Sequence, residues 1–546
     1  MTELVKNNNG GAVYQVSKWT QLDRFLTLGS EANYYSSEQQ MTIENARNVQ
    51  ACIKEDGVRA VNRIVEISDS GRAPKNDPAL FALAIASADD NVQTRKAALT
   101  ALPKVARIGT HLFHFAHYVQ NFRGWGRALR QAIGNWYTEQ SVEGLAMQVI
   151  KYQSRDGFST RDLLRLSHPK TNDVAKDAVF RWVVGGKESL GNTRVSVDPK
   201  TRAKVNVAVP DRTGSLPAVI NAFEEAKTLD VKTDVSKMVD LIKTHNLPRE
   251  AVPTAFLNEK EVWVALLHAG KYGMPMTALM RNLNKITQLG ILDDKTELDF
   301  VVGKLTNKES VKAARMHPFN ILVSWKTYSA GKGFKGDMSW VPNKEVVTAL
   351  ENMYYLSFGF IEPTGKKLLL ALDVSGSMSS PCMGSQILAC YEVVACLAMV
   401  TARVEKDYEM VAFTSSGGAW NRGGTKLTKL NVTPTMTFDQ VIKQVQRSDF
   451  GRTDCALPAS YAIENNLDFD GILIMTDNET YGSSQTPYDA LQKLRRQSGK
   501  EVRQVVVGMT ATNFSIANPN DPLSLDVSGA DSSMPQVVSD FFRGVI

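Results

Sequence analysis

The chain has 546 residues, 43% of them hydrophobic and 22% charged, with a formal net charge of +6, an ordinary composition for a globular protein of more than one domain. No uninterrupted apolar run approaches the ~18 residues that cross a bilayer, and the opening MTELVKNNNG lacks the charged-then-apolar pattern of a signal peptide. The charge is uneven: residues 361–546 hold 16 Lys+Arg against 20 Asp+Glu, net −4, and the remainder 47 against 37, net +10, so the first part of the chain is expected to meet a polyanion.

Cys52, Cys382, Cys390, Cys396 and Cys455 are odd in number and scattered, with no C-x-x-C spacing. That pattern indicates neither a disulfide framework nor a zinc site, and points to a reducing, cytoplasmic protein without a membrane partner.

From Val16 to about Met353 the apolar residues recur at helical spacing, broken by short Gly, Pro and Asn/Asp punctuation. Helices are predicted over Ile43–Ile53, Val58–Ile67, Leu80–Ser87, Val92–Ala106, Leu112–Phe122, Arg127–Trp136 and Val142–Tyr152. Helix after helix on short loops describes hairpins stacked as an α-solenoid, or a plain multi-helix bundle. Within this stretch Arg95–Lys170 carries 12 Lys+Arg against 4 Asp+Glu, together with His111, His114, His117 and His168. A solvated helix face normally mixes its signs; this one does not.

The segment STRDLLRLSHPK, Ser159–Lys170, opens on a capping-box pair, Ser159 and Asp162, and closes on Pro169. Leu163, Leu164 and Leu166 would face inward, leaving Arg161, Arg165 and His168 on one outward stripe. Arginine forks along one face match phosphate oxygens at successive nucleotides. Trp125, between Gly124 and Gly126 and ahead of Arg127 and Arg130, is either a stacking platform for an unpaired base or a packing residue. His111, His114 and His117 recur three apart, but no acidic or thiol ligand accompanies them, which argues against a metal. The candidate nucleic-acid contacts are Lys104, Arg107, Arg123, Arg127, Arg130, Arg155, Arg161, Arg165, His168 and Lys170.

A helix over Val174–Val184 precedes Gly185–Ser215, where alternating valines suggest a hairpin or an ordered insertion. Helices resume over Leu216–Ala226, Val235–Thr244, Glu259–Leu267, Met276–Thr287, Ser310–Arg315 and Asn320–Tyr328. Ala330–Trp340 reads as a glycine and lysine connector, and one more helix, Asn343–Met353, leads to a second domain.

That domain alternates strand and helix. Leu368–Leu372 is a strand buried on both faces; helices follow over Gln386–Val404, Phe438–Val445, Leu457–Asn465, Tyr488–Gln497 and Gln536–Arg543, and strands over Tyr408–Phe413, Gly471–Thr476 and Val502–Val507. The order implies a doubly wound parallel sheet with its ligand at the carboxyl ends of the strands. There the loop Asp373-Val374-Ser375-Gly376-Ser377 presents a carboxylate and two hydroxyls on alternate residues. Such a donor set suits a hard divalent ion, magnesium before calcium or zinc. A haloacid-dehalogenase-type phosphatase would need a second aspartate at Ser375, and a phosphate-binding loop would need Gly-Lys-Ser/Thr before a helix; neither is present.

The Asp-x-Ser-x-Ser loop resembles the metal-ion-dependent adhesion site of von Willebrand factor A domains. The resemblance supplies Thr453, in Gly451-Arg452-Thr453-Asp454, and Asp477 as the remaining ligands beside Asp373, Ser375 and Ser377. With a basic helical part ahead of it, the whole chain resembles the Ro autoantigen family, built on the TROVE module. The resemblance is carried by Arg24-Phe25-Leu26 through Gly29-Ser30-Glu31 and Tyr34-Tyr35, and by Leu80-Phe81-Ala82-Leu83-Ala84-Ile85. Further on it is carried by Trp125-Gly126-Arg127-Ala128-Leu129-Arg130, by Arg161-Asp162-Leu163-Leu164-Arg165-Leu166-Ser167-His168, and by Glu261-Val262-Trp263. Ala278-Leu279-Met280-Arg281-Asn282-Leu283, His317-Pro318-Phe319, Glu362-Pro363-Thr364-Gly365-Lys366 and Thr476-Asp477-Asn478-Glu479-Thr480 complete it.

The resemblance implies a TROVE module at 1–360, a ring-like α-solenoid of HEAT-like repeats, and a von Willebrand factor A-like domain at 361–546. It implies a non-enzymatic scaffold that binds Y-like noncoding RNA on a basic outer surface and the single-stranded ends of misfolded RNA in a central hole. It further implies a monomer within the ribonucleoprotein and a 3′–5′ exoribonuclease, such as polynucleotide phosphorylase, as a partner. By the motif match Arg161, Arg165 and His168 contact RNA. Thr160 stands where the family pattern has a histidine, and the 185–215 segment and the shortened stretch before Trp125 also depart from it. The competing class is a protein-binding adhesion-type module, in which the metal captures a partner's carboxylate.

Overall fold

The computed structural model of the chain describes residues 4–29, 46–197, 203–334, 337–382, 385–415, 425–446, 453–481 and 485–546. The predicted helix start at 43–45, the motif residues Ser30, Glu31, Tyr34 and Tyr35, and Gly451 and Arg452 lie outside the described residues. By compactness the chain divides into one unit of Met1–Glu55, Glu66–Pro78 and Leu298–Ile546, and another of Asp56–Val65 and Ala79–Glu297.

In chain order, strands β1 (Leu4–Lys6) and β2 (Ala12–Gln15) are followed by helices α1 (Lys18–Leu28), α2 (Arg47–Ser70), α3 (Asp77–Ser87), α4 (Val92–Val105), α5 (Gly109–Val119), α6 (Arg127–Thr138) and α7 (Val142–Lys151). A short hairpin, β3 (Ser154–Arg155) and β4 (Phe158–Ser159), leads to α8 (Thr160–Ser167) and α9 (Val174–Gly185). The two segments predicted over Ile43–Ile53 and Val58–Ile67 are one helix, α2, interrupted at Asp56, whose φ of −149° and ψ of 88° are not helical.

In the second unit the helices pack on one another in sequence: α4 on α6, α6 on α8, and α8 on α9. Helix ends are set by local chemistry. The Asn91 side chain accepts the Gln93 N–H at 2.8 Å to start α4, and Ser141 accepts from Gly144 at 3.0 Å to start α7. The β3–β4 hairpin turns on Asp156 (φ 49°) and Gly157 (φ 80°), two left-handed residues of the kind a two-residue turn requires. The 185–215 segment contains the expected hairpin, β5 (Thr193–Val197) paired antiparallel with β6 (Lys204–Ala208). Helices α10 (Ala218–Ala226), α11 (Val235–His245), α12 (Lys260–His268) and α13 (Met276–Gln288) follow.

Helices α14 (Lys295–Thr306), α15 (Lys308–Ala314), α16 (Pro318–Ser329) and α17 (Lys344–Leu356) lead to the strand-rich end of the chain. There β7 (Leu368–Asp373) is buried at all six residues, as its unbroken apolar run requires. The sheet order is β13-β11-β10-β7-β8-β9, with β8 (Tyr408–Ser415), β9 (Thr425–Leu430), β10 (Gly471–Thr476), β11 (Arg503–Gly508) and β13 (Ser524–Ser528). Strands β7, β8, β10, β11 and β13 run parallel, whereas β9 returns antiparallel beside β8. The sheet is therefore mixed and not wholly parallel: TKLTKL at β9 is an edge strand with polar alternation, and it forms a hairpin with β8. Helices α18 (Cys390–Val404), α19 (Phe438–Gln446), α20 (Leu457–Glu464), α21 (Pro487–Ser498) and α22 (Met534–Arg543) complete the unit. The helix predicted from Gln386 begins at Cys390. None of the five cysteines forms a disulfide. Among the described residues no helix is long and apolar enough to cross a membrane.

The amino terminus belongs to the same unit as this sheet. Strand β2 pairs antiparallel with β1 and with β12 (Phe514–Ser515), and Val13 is fully buried in a core with Leu369, Ala371, Ile472 and Val506. Arg24 of α1, 1% exposed, donates to the Thr512 and Phe514 carbonyls at 2.5 and 2.8 Å and to the Asp526 carboxylate at 2.7 Å. A buried charge so committed is costly to orphan. Arg24→Ala is expected to lower the unfolding free energy by about 3 kcal/mol, read by urea denaturation; an unchanged midpoint would show that this network contributes nothing.

Candidate functional site

Two groups of side chains stand out, one in each unit. The first grows from the carboxyl end of β7. Because β10 runs parallel beside β7 with Met475 opposite Leu372, the residues that follow each strand emerge side by side. The chain leaves β7 toward β8 on one side while β10 lies on the other, which is the topological switch point where such sheets bind ligands.

Asp373, Ser375, Ser377, Thr453 and Asp477 are all buried. The Ser375 N–H donates to Asp373 Oδ1 at 2.9 Å, the Ser375 and Ser377 hydroxyls lie 3.0 Å apart, and the Ser377 hydroxyl bonds to Asp477. Thr476 Oγ1 donates to Asp373 Oδ2 at 2.6 Å. The Glu479 N–H donates to Asp477 Oδ1 at 3.0 Å, while Asp477 Oδ2 is buried without a hydrogen-bond partner. The Thr453 carbonyl accepts the Tyr481 N–H at 2.7 Å, which ties its loop to the one after β10. The structure thus gathers four of the five expected ligands directly and brings the loop of the fifth against them.

Burial, and then the nearby Asp477 carboxylate, push the Asp373 carboxyl up to about 7, against the lowering hydrogen bonds from Thr476 and Ser375. Burial also raises Asp477 and lifts Glu479 to about 7. Paired buried carboxylates, hydroxyls on alternate residues and one orphaned carboxylate oxygen form a donor set that fits a hard divalent cation. Thr476 and Glu479 escaped the sequence reading as members of this site; the only signal was their place in the TDNET motif. The histidines behave otherwise. His114 Nδ1 lies 3.3 Å from Asp156, and among the described residues no cluster of three or more His, Cys, Asp or Glu gathers around a common point.

The second group lies on α4, α6 and α8. Helix α8 begins with the expected capping box: the Asp162 N–H donates to Ser159 Oγ at 3.2 Å, and the Ser159 N–H returns to Asp162 Oδ2 at 3.0 Å. It ends at His168, whose φ of 49° turns the chain and whose N–H donates to the Leu164 carbonyl at 3.0 Å. Leu163 and Leu164 are buried and Leu166 is only half-buried, while Arg161, Arg165 and His168 are exposed. Helix α6 buries Leu129, Ile133 and Trp136 and exposes Arg127 and Arg130; the Trp136 indole donates to the Ala106 carbonyl just past α4. Lys104, Arg107, Arg155 and Lys170 are also exposed. Among the described residues Lys104, Arg127, Arg130, Arg161, Arg165 and Lys170 form no ion pair.

Three sequence candidates are more committed. Arg123 is half-buried and donates to the Ser87 carbonyl, and burial, then Arg95, lowers its pKa. Arg107 bonds the Lys104 carbonyl at 3.0 Å, and Arg155 lies 3.8 Å from Asp156. Trp125 is half-buried and tilts against Phe158, ring centroids 6.0 Å apart. Thr160 points inward, 5% exposed, with its hydroxyl on the Tyr152 carbonyl at 3.3 Å.

Comparison with known proteins matches the TROVE domain over residues 5–327 and the Ro60 vWA domain over residues 367–542. The chain is 36% identical to the RNA-binding protein RO60 of Caenorhabditis elegans, over 99% of this chain and 90% of that one. It is 35% identical to the protein of the same name from Deinococcus radiodurans, over 99% and 96%. The crystal structure of the D. radiodurans Ro (RSR) protein superposes with a TM-score of 0.68 at 33% identity, covering 97% of this chain and all of that one. These relatives do not favour the adhesion-type protein-binding module.

The raised Asp373 pKa has a consequence for the metal-free protein. A carboxyl raised from its ordinary 3.8 to about 7 favours the fold most below its unfolded value, and loses that contribution as the pH rises through 7. In EDTA at pH 8, Asp373→Asn is expected to be more stable than wild type, with the gap closing toward pH 4. Denaturation curves across that range check it; a variant less stable than wild type at pH 8 contradicts it.

Proposed function

The chain belongs to the TROVE-domain family of Ro60 proteins, and from that membership we propose that it is an RNA-binding protein of the Ro type whose helices α4, α6 and α8 hold RNA phosphates. The observation that carries this reading is the set of exposed cations on helices packed in succession, Lys104, Arg127, Arg130, Arg161 and Arg165, that form no ion pair among the described residues. Guanidinium groups one helical turn apart, at Arg161 and Arg165, match the spacing of neighbouring phosphate oxygens. Phosphate contacts position a nucleic acid without reading its sequence, so the partner is set by RNA shape: a structured noncoding RNA of the Y-like type or a misfolded one. His168, exposed at the end of α8, adds an imidazole donor beside them.

The protein acts in this reading as a monomeric cytoplasmic scaffold, not an enzyme, and it presents bound RNA to a 3′–5′ exoribonuclease such as polynucleotide phosphorylase. The names of its relatives support the RNA part of that description. The TROVE module spans 1–360 and the von Willebrand factor A-like domain 361–546. Asp373, Ser375, Ser377, Thr453 and Asp477 would hold a divalent cation, magnesium because so few charged oxygen donors suit an ion that keeps several of its waters. That cation offsets the charge of the two buried carboxylates, and the fit is supported by the unpartnered Asp477 Oδ2. The hydroxyls of Ser375 and Ser377 orient the carboxylates.

The combined change Arg161→Ala, Arg165→Ala and His168→Ala is expected to weaken binding of a structured RNA at least about tenfold at 0.15 M salt. It should flatten the slope of log affinity against log salt by about 0.7 to 0.9 for each arginine removed. Filter binding across a salt series measures both. A folded variant with wild-type affinity and slope contradicts the assignment of this surface.

A further inference from the structure

The sequence NNNGG, Asn7–Gly11, lies more than 460 residues from the loop that follows β10, yet the two are joined by a set of hydrogen bonds, that of Asn7 buried. Asn7, 6% exposed, uses both ends of its side chain: Nδ2 donates to the Thr480 carbonyl at 2.7 Å, and Oδ1 accepts the Gly11 and Asn9 N–H groups at 2.8 and 3.1 Å. Asn8 Nδ2 donates to Glu479 Oε1 at 2.6 Å. Gly10 bridges antiparallel to Tyr481. Gly11 sits so close to the loop that a Cβ there would stand 2.1 Å from the Thr480 carbonyl oxygen, so only glycine permits the approach. Tyr481 in turn bonds Thr453 through its N–H, and Thr480 Oγ1 accepts the Cys455 N–H at 3.2 Å.

The turn therefore grips the segment that carries Asp477 at one end and reaches the Thr453 loop at the other. Both carboxylates of this segment keep one buried oxygen without a partner, Asp477 Oδ2 and Glu479 Oε2. A loop holding two such groups opens more readily than a neutral one; the asparagine-rich turn holds it shut together with the Thr510 hydroxyl, which donates to the Asp477 carbonyl at 2.8 Å. We propose that Asn7, Asn8 and Gly11 are positioning residues for the cation site, a clamp whose docking and the uptake of a divalent cation favour one another. The proposal rests on the reading of Asp373, Ser375, Ser377, Thr453 and Asp477 as that site. It extends that reading to a segment of the chain that the motif does not contain. Because linkage is reciprocal, whatever the clamp adds to cation affinity, the cation adds to the docking of the clamp.

Mn2+ binding to the full-length protein, read by loss of the free-ion paramagnetic resonance signal, tests this together with amide exchange of residues 4–15. Asn8→Ala alters an exposed side chain and leaves the fold intact; Gly11→Ala forces the turn away from Thr480. The dissociation constant is expected to rise several-fold in Asn8→Ala and about tenfold in Gly11→Ala. In the wild type, Mn2+ should slow amide exchange over residues 4–15, and RNA affinity should not change. A purely structural role would instead lower the melting temperature in EDTA while leaving the dissociation constant alone. Equal Mn2+ affinity in wild type and Asn8→Ala overturns the clamp and leaves the cation site standing. No Mn2+ uptake by the wild type overturns both.

Discussion

Like charges held on neighbouring helices repel, and a protein that keeps them there bears that cost in its free state. Arg127, Arg130, Arg161 and Arg165 are placed in this way by α6 and α8, whose buried sides (Leu129, Ile133 and Trp136 on one, Leu163 and Leu164 on the other) fix which residues face outward. The nearest acid in the chain, Asp162, is spent on capping its own helix through Ser159. Asp156 lies against His114 and Arg155. These two acids are thus committed to local structure, and Arg127, Arg130, Arg161 and Arg165, which form no ion pair among the described residues, remain available to a polyanion.

The same economy of charge, with opposite sign, governs the carboxyl end of β7. Asp373 and Asp477 are brought together by two strands of one parallel sheet and are removed from water, an arrangement that burial penalises unless a cation or a proton answers it. Serine and threonine hydroxyls meet part of the demand, as the Thr476 bond to Asp373 shows. The amino-terminal turn extends the environment further, because a segment 473 residues away in sequence supplies the Asn7 bond to Thr480. In family terms the TROVE match begins at residue 5, yet residues 4–15 are built into the sheet-bearing unit.

Much of this was legible in the chain. Helices α4 to α9 follow from apolar spacing and caps, and β10 from an unbroken apolar run. The Asp-x-Ser-x-Ser loop and the Arg161–Arg165 stripe were readable because short-range spacing alone determines them. Strands β1, β2, β9 and β13 were not, since LVK, AVYQ, TKLTKL and SLDVS are short and gain their pairing from distant partners. Helix α14 carries Leu298, Val301 and Leu305 at helical spacing, a stripe masked in the sequence by its polar first turn. The Asp156-Gly157 dipeptide likewise carries the turn signal of the β3–β4 hairpin. The contacts of Asn7, Asn8 and Gly11 are beyond any local rule: nothing near NNNGG announces a partner at residue 480.

The most direct test of the central claim is photocrosslinking of a 4-thiouridine-substituted structured RNA to the full-length protein, with the attached peptides identified by mass spectrometry. Crosslinks falling within residues 104–170, on α6 and α8 above all, are the predicted result. Crosslinks confined to residues 361–546, or spread without preference over the chain, would contradict it.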